Sequence, residues 1–152
     1  MPVFETRSFG RIPYEEDAVL EFPSGLPGFE LRHRFVALDF KERRPLILLQ
    51  SLEDPCLCFI TLPVLVVDPR YRLEVNAEDL ALVGLAAARQ PRIGEEVLCL
   101  AVVAVRESGP TANLLAPIVV NLANRKAVQA VAPQSGYSHQ QALVSEEAAV
   151  CS

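Results

Sequence analysis

Apolar positions in this chain fall in short runs broken by proline and glycine, not in the three-to-four spacing of amphipathic helices. "AVLEF" (18–22) alternates, with Leu20 and Phe22 on one face and Glu21 on the other. "RFVALDF" (34–40), "PLILLQSL" (45–52), "LCFITLPVLVV" (57–67) and "YRLEV" (71–75) follow, then "EVLCLAVVAV" (96–105), "LLAPIVVN" (114–121) and "KAVQAV" (126–131). Runs so rich in Val, Ile and Leu favour pleated sheet. The middle runs are apolar at successive positions, so both of their faces need cover. Pro63 and Pro117 interrupt runs that otherwise read as central strands. Proline donates no ladder hydrogen bond, so each marks a bulge, a bend or an edge. The pattern predicts a mainly β fold, a small antiparallel β-barrel-like single domain with one or two short helices, in which such corners help the sheet close.

One helix is fully punctuated. Asn76 is placed as N-cap, Asp79 stands three residues on, and Gly84 stops the helix in a left-handed conformation. "GLPGF" (25–29) matches a type II turn, with Pro27 second and Gly28 third, where positive φ is required. "FELRHR" (29–34) suits one further turn, and "AAARQPRIGEE" (86–96) a connection. "SHQQALVSEEAAVCS" (138–152) drops the strand pattern and has no Lys or Arg. The expected organisation is a domain over 1–140 and a C-terminal tail over 141–152.

Composition then narrows the function. The chain has 152 residues, 51% of them hydrophobic, enough to fill a core. Its longest wholly apolar run, Val97 to Val105, is far short of the ~20 residues of a spanning helix. The start carries no signal-peptide pattern, so a cytoplasmic protein without membrane contact is expected. Nineteen acidic residues against fourteen basic give a net charge of −5. That balance disfavours direct nucleic-acid binding, which rewards clustered Lys and Arg, and suits a basic protein partner. Cys56 and Cys58 form the one close cysteine pair, without the second paired element of a zinc site, so no metal is expected. The familiar catalytic signatures are absent, and the doublets Glu53-Asp54, Glu78-Asp79 and Glu95-Glu96 read as solvated turns or helix starts. No enzyme activity and no cofactor are predicted.

Four segments taken in order carry a resemblance: "FPSGLPGFE" (22–30), "LLQSLEDPCLCF" (48–59), "TANLLAPIVVNLANRKAVQAV" (111–131) and "SGYSH" (135–139). Together they resemble the flagellar assembly factor FliW family over about residues 3–140. Residues 86–94 and the tail carry no part of the likeness. The resemblance implies a non-catalytic cytoplasmic regulator, monomeric when free, that binds the translational repressor CsrA and keeps it off flagellin mRNA. Flagellin, the second implied partner, would bind the regulator and release CsrA.

Partner-binding residues are expected among exposed acids and aromatics beside turns: Glu53 and Asp54, Glu78 and Asp79, Phe29 and Tyr137. Each also has a plain structural reading, the acids as solvated turn residues and Phe29 as packing under its turn. Two alternatives stand beside the regulator. One is a small β-barrel ligand carrier or enzyme with a polar lumen, and the other is an OB-like barrel binding single-stranded nucleic acid.

Overall fold

The computed structural model describes residues 3–6 and 10–143. Strands β1 (Val3–Thr6) and β2 (Gly10–Pro13) form a separate hairpin. The other strands belong to one antiparallel nine-stranded sheet: β3 (Val19–Glu21), β4 (Arg34–Leu38), β5 (Ile47–Ser51), β6 (Cys58–Pro63), β7 (Val97–Arg106), β8 (Gly109–Ala112), β9 (Ile118–Asn121), β10 (Ala127–Gln129) and β11 (Gln141–Ala142). Its main path runs β10-β9-β7-β6-β5-β4-β3, while β8 pairs with the far half of β7 and β11 pairs with β8. Two short α-helices, α1 (Val64–Val67) and α2 (Ala77–Leu82), and two 3-10 turns, Glu16–Ala18 and Lys41–Arg43, complete the described residues. Among the described residues, no helix is long and apolar enough to cross a membrane.

The mainly β fold with two short helices is as expected, but the barrel does not close. Where its two ends approach, Glu21 makes a single bridge to Lys126, and the Glu21 N–H donates to the Arg125 carbonyl at 3.0 Å. One bridge is not a ladder, so the sheet is a curled, open one.

Pleat alternation divides the core into three layers. The inner face of the curl holds Phe22, Phe35, Leu49, Leu100, Ile118 and their neighbours. Phe22 and Phe35 meet edge to face there, with ring centroids 5.3 Å apart. The outer face of β7, β9 and β10 is covered by residues 64–85, which bring in Val64, Tyr71, Leu73, Leu80 and Val83. The outer face of β4 and β5 buries Val36, Leu38 and Leu48, with Ile12 and Tyr14 from the β1–β2 region packed on it. This double coverage explains runs that are apolar at every position.

The segment "TANLLAPIVVN" is a bulged continuation of one strand. Ala112 stands opposite Val103 and Ile118 opposite Leu100, so residues 113–117 span a stretch in which β7 advances only through Ala101 and Val102. Asn113 opens the bulge: its Oδ1 accepts from the N–H groups of Leu115 (3.1 Å) and Ala116 (3.0 Å). Pro117 closes it, and its carbonyl accepts from the Ala130 N–H at 2.9 Å. Proline thus falls where no ladder donor is needed, the corner role expected of it.

Helix α2 follows its punctuation. Asn76 Oδ1 accepts from the Asp79 N–H at 2.7 Å. At the other end Leu85 N–H reaches the Leu80 carbonyl (2.8 Å) and Gly84 N–H that of Ala81 (3.1 Å), with Gly84 at φ 78°. Asn121 Nδ2 donates to the Val83 carbonyl at 2.7 Å and so pins this end to β9.

Several expected strands differ. Val64–Val67 is a helical turn, because after Pro63 the chain turns to send Val64 into the outer core. Tyr71–Val75 alternates buried and exposed as expected but joins no ladder. Side chains replace the missing strand: Gln90 accepts from the Val75 N–H (2.7 Å) and donates to its carbonyl (3.0 Å), and Tyr137 Oη accepts from the Arg72 N–H (2.9 Å). At the C-terminus, the segment read as a tail enters the sheet through Gln141 and Ala142. Its remainder from residue 144, Cys151 included, lies outside the described residues.

Candidate functional site

The predicted site residues separate into two groups. Phe29, Glu53 and Asp54 gather where β4 begins and β5 turns into β6. Glu78, Asp79 and Tyr137 belong to the layer covering the outer face of β7, β9 and β10.

In the first group the acids have structural work. Glu53 Oε1 accepts from the backbone N–H groups of His33 (2.6 Å) and Arg34 (3.0 Å). The Arg34 N–H bond leads in holding this carboxyl below its ordinary range, against a partial desolvation, with help from the His33 bond and the charges of His33 and Arg32. Asp54 Oδ1 accepts from the Cys56 N–H at 2.9 Å, and Ser51 Oγ from the N–H groups of Glu53 and Asp54. Beneath them the buried Gln50 aims Nε2 at the carbonyls of Leu57 (3.0 Å) and Ser51 (3.2 Å). "QSLEDP" is a turn fixed from inside, and its carboxylates are held at set positions on the surface.

The neighbouring turn at residues 25–29 forms as expected. The Phe29 N–H donates to the Leu26 carbonyl at 2.7 Å, and Gly28 has φ 86°. Gly25 is required by space as well as by its φ of 68°, since a Cβ there would lie 2.6 Å from the Glu30 carbonyl oxygen. The turn lifts Phe29 into partial exposure (40%), edge-on to Phe59 at 5.4 Å, and leaves Leu31 80% exposed. Phe29 is therefore both packed and presented.

In the second group, Asp79 Oδ2 accepts from Asn76 Nδ2 at 3.1 Å, and burial raises its pKa, with the Glu78 charge adding to the effect. Glu78 is exposed. Tyr137 stacks on Tyr71 with centroids 4.4 Å apart, and Tyr71 Oη donates to the Leu114 carbonyl at 2.8 Å. Tyr137 thus props the 71–75 segment as well as lying near the surface.

A feature missed in the sequence lies at one end of the inner face. A cavity of about 270 Å³ is floored by Leu26, Phe59 and Val102 and walled by Ala104, Arg106, Asn113, Gln129 and His139, with Pro27 at its rim. Alternation along β7 puts Val102, Ala104 and Arg106 on one face. That face was legible in "VVAVR", but the partners facing it come from five other parts of the chain.

These features define a small, open, doubly covered β-sheet protein that presents shaped turns and a shallow mouth at its surface. A family model described as "FliW protein" matches residues 3–143. The flagellar assembly factor FliW of Syntrophomonas wolfei is 32% identical over 133 residues, covering 85% of this chain and 80% of that protein. The flagellar assembly factor FliW of Bacillus subtilis is 30% identical over 136 residues, covering 90% and 92%. A crystal structure of the flagellar assembly factor FliW superposes with a TM-score of 0.81 at 27% identity, over 96% of this chain and 99% of the other. The chain belongs to the FliW family of flagellar assembly factors.

Proposed function

We propose that this chain is a non-catalytic cytoplasmic regulator that binds a CsrA-type RNA-binding repressor and yields it when flagellin binds. The observation that carries this reading is the family match across residues 3–143, which takes in every described element of the fold. The net charge of −5 favours encounter with a basic repressor. Competition between two protein partners needs only shared or coupled surfaces, and a coupling of about 1–3 kcal/mol changes affinity roughly 5–150-fold. The two groups of surface residues, around Phe29 and Glu53 and around Glu78 and Tyr137, are the interface positions proposed.

The test combines purified protein, repressor, flagellin mRNA leader and flagellin in a translation assay. Adding this protein should relieve repression, and adding flagellin should restore it. Repression that is equal with and without the protein would remove the proposal. Charge reversal at Glu78, which is exposed, should slow association and weaken its salt dependence if the acid steers the encounter.

A further inference from the structure

We propose that the mouth at the end of the inner face is a binding site for the free carboxyl end of a peptide chain with an apolar last residue. The proposal comes from what the cavity walls have left to offer. Asn113 lines the cavity with its Oδ1 already committed to two backbone N–H groups, at 3.1 and 3.0 Å, which leaves Nδ2 as a donor. Gln129 lines it with Nε2 committed to the Ala116 carbonyl at 3.0 Å, which leaves Oε1 as an acceptor. One remaining donor and one remaining acceptor at the same cavity are the two groups that the carbonyl and N–H of a peptide unit call for.

The remaining walls fit the rest of a chain end. Arg106 stands at the cavity with no carboxylate within 4.0 Å among the described residues, and a guanidinium pairs with a carboxylate through two parallel hydrogen bonds. The imidazole of His139 lines the same cavity. The floor of Leu26, Phe59 and Val102 is continuous with the inner core and accepts an apolar side chain. At about 270 Å³ the space falls just below the roughly 300–1,000 Å³ of pockets that enclose a drug-sized ligand. It is open to solvent on one side, which lets a longer chain lead away from it. A site with a cation, an apolar floor and a peptide-matching amide pair reads a chain terminus better than it reads a small acid, which would leave the amide pair unused. The inference is independent of which partners the family reading assigns.

The test is a titration of ¹⁵N-labelled protein followed by amide chemical shifts, with three probes. N-acetyl-Ala-Ala-Leu with a free carboxylate should move the backbone signals of Val102, Ala104 and Arg106 and the side-chain NH₂ of Asn113. The same peptide as its C-terminal amide should bind at least tenfold more weakly. Arg106→Gln, at an exposed position, should lower affinity for the free acid at least tenfold while leaving the rest of the spectrum in place, and Arg106→Lys should lose less. Absence of shifts at these positions, or equal binding of acid and amide forms, overturns the proposal. So does binding of 4-methylpentanoate as tight as that of the peptide, which would make the mouth a small-acid site instead.

Discussion

Glu53 Oε1 lies 2.6 Å from the backbone nitrogen of His33, twenty residues away in the chain. Through this bond and its companion to Arg34 (3.0 Å), one exposed carboxylate ties the β5–β6 turn to the start of β4. The turn at 25–32, which presents Phe29, leads directly into that tied point. An acid that reads as a candidate partner contact is thus also part of what holds the candidate surface in shape.

Glu53→Ala should therefore destabilise the fold, by an amount reduced by exposure. Hydrogen bonds to a charged group contribute about 1.5–3 kcal/mol when sheltered, and solvent screening brings the expected loss to about 1 kcal/mol. The carboxyl is held below its ordinary range in the fold, so its contribution is present above that range and is lost as pH falls through the lowered value. Urea midpoints should differ between wild type and Glu53→Ala at pH 7, and the gap should shrink as pH falls below the ordinary carboxylate range. Glu53→Gln retains an acceptor oxygen and should lie between the two at pH 7. Identical midpoints at neutral pH would show that the two bonds contribute nothing.

Asn113 should matter more than its size suggests. Its carboxamide oxygen receives two N–H groups that the bulge at 113–117 removes from the ladder. Asn113→Ala leaves both unsatisfied in a half-buried setting, for an expected loss of about 1–2 kcal/mol in chemical denaturation. Asn113→Asp keeps the acceptor and should recover most of the loss. Equal destabilisation by both substitutions would assign the effect to something other than the acceptor.

How far the fold is legible in the sequence depends on how local its causes are. The cap at Asn76, the stop at Gly84 and the Pro27-Gly28 turn are set within a few residues, and each forms as read. The long apolar run at 97–105 needs no partner to declare itself a strand. By contrast "GPTA" (109–112) has no apolar signature, and it becomes β8 only because β7 runs far enough for the chain to fold back along it. Val64–Val67 looks like strand by its β-branched residues, but the outer layer needs Val64 inward at once. The mouth is the least legible feature, since its floor and walls come from positions 26, 59, 102, 104, 106, 113, 129 and 139, which meet only in the folded chain. Glu53 shows the same limit, because no local signal points to amides twenty residues upstream.

Alkaline pH should weaken the fold through two buried acids of the outer layer. Burial pushes the Cys99 thiol up to about 12. It also raises the Tyr71 phenol, chiefly by desolvation, with the charges of Cys99, Tyr137 and Glu74 adding to it. Both groups stay protonated in the native state at a pH where the unfolded chain releases the proton. Their contribution is complete below the ordinary thiol value of about 8.5 and declines as pH rises toward the native values. The free energy of unfolding should therefore fall between about pH 8.5 and 11, and more shallowly in Cys99→Ala, whose thiol no longer titrates. Tyr71→Phe should lose about 1 kcal/mol at pH 7, where the Leu114 carbonyl is left without its donor. A stability curve flat from pH 8 to 11 would contradict this account.

Phe29 allows the structural and recognition roles of the first surface group to be separated. Its ring rests edge-on against Phe59, 5.4 Å between centroids, yet 40% of the residue stays exposed. Truncation to Ala removes an aromatic contact of about 0.5–1.5 kcal/mol and some apolar burial, a moderate loss for the free protein. An aromatic anchor covered by a partner commonly contributes 2 kcal/mol or more, roughly a thirtyfold change in Kd. Phe29→Ala should thus weaken repressor or flagellin binding at least tenfold while the protein remains folded at 25 °C by circular dichroism. Phe29→Leu, which keeps an apolar side chain on Phe59 without the ring, should restore much of the stability and little of the affinity. If both variants bind as wild type does, the aromatic belongs to the scaffold alone and the interface lies elsewhere on the surface.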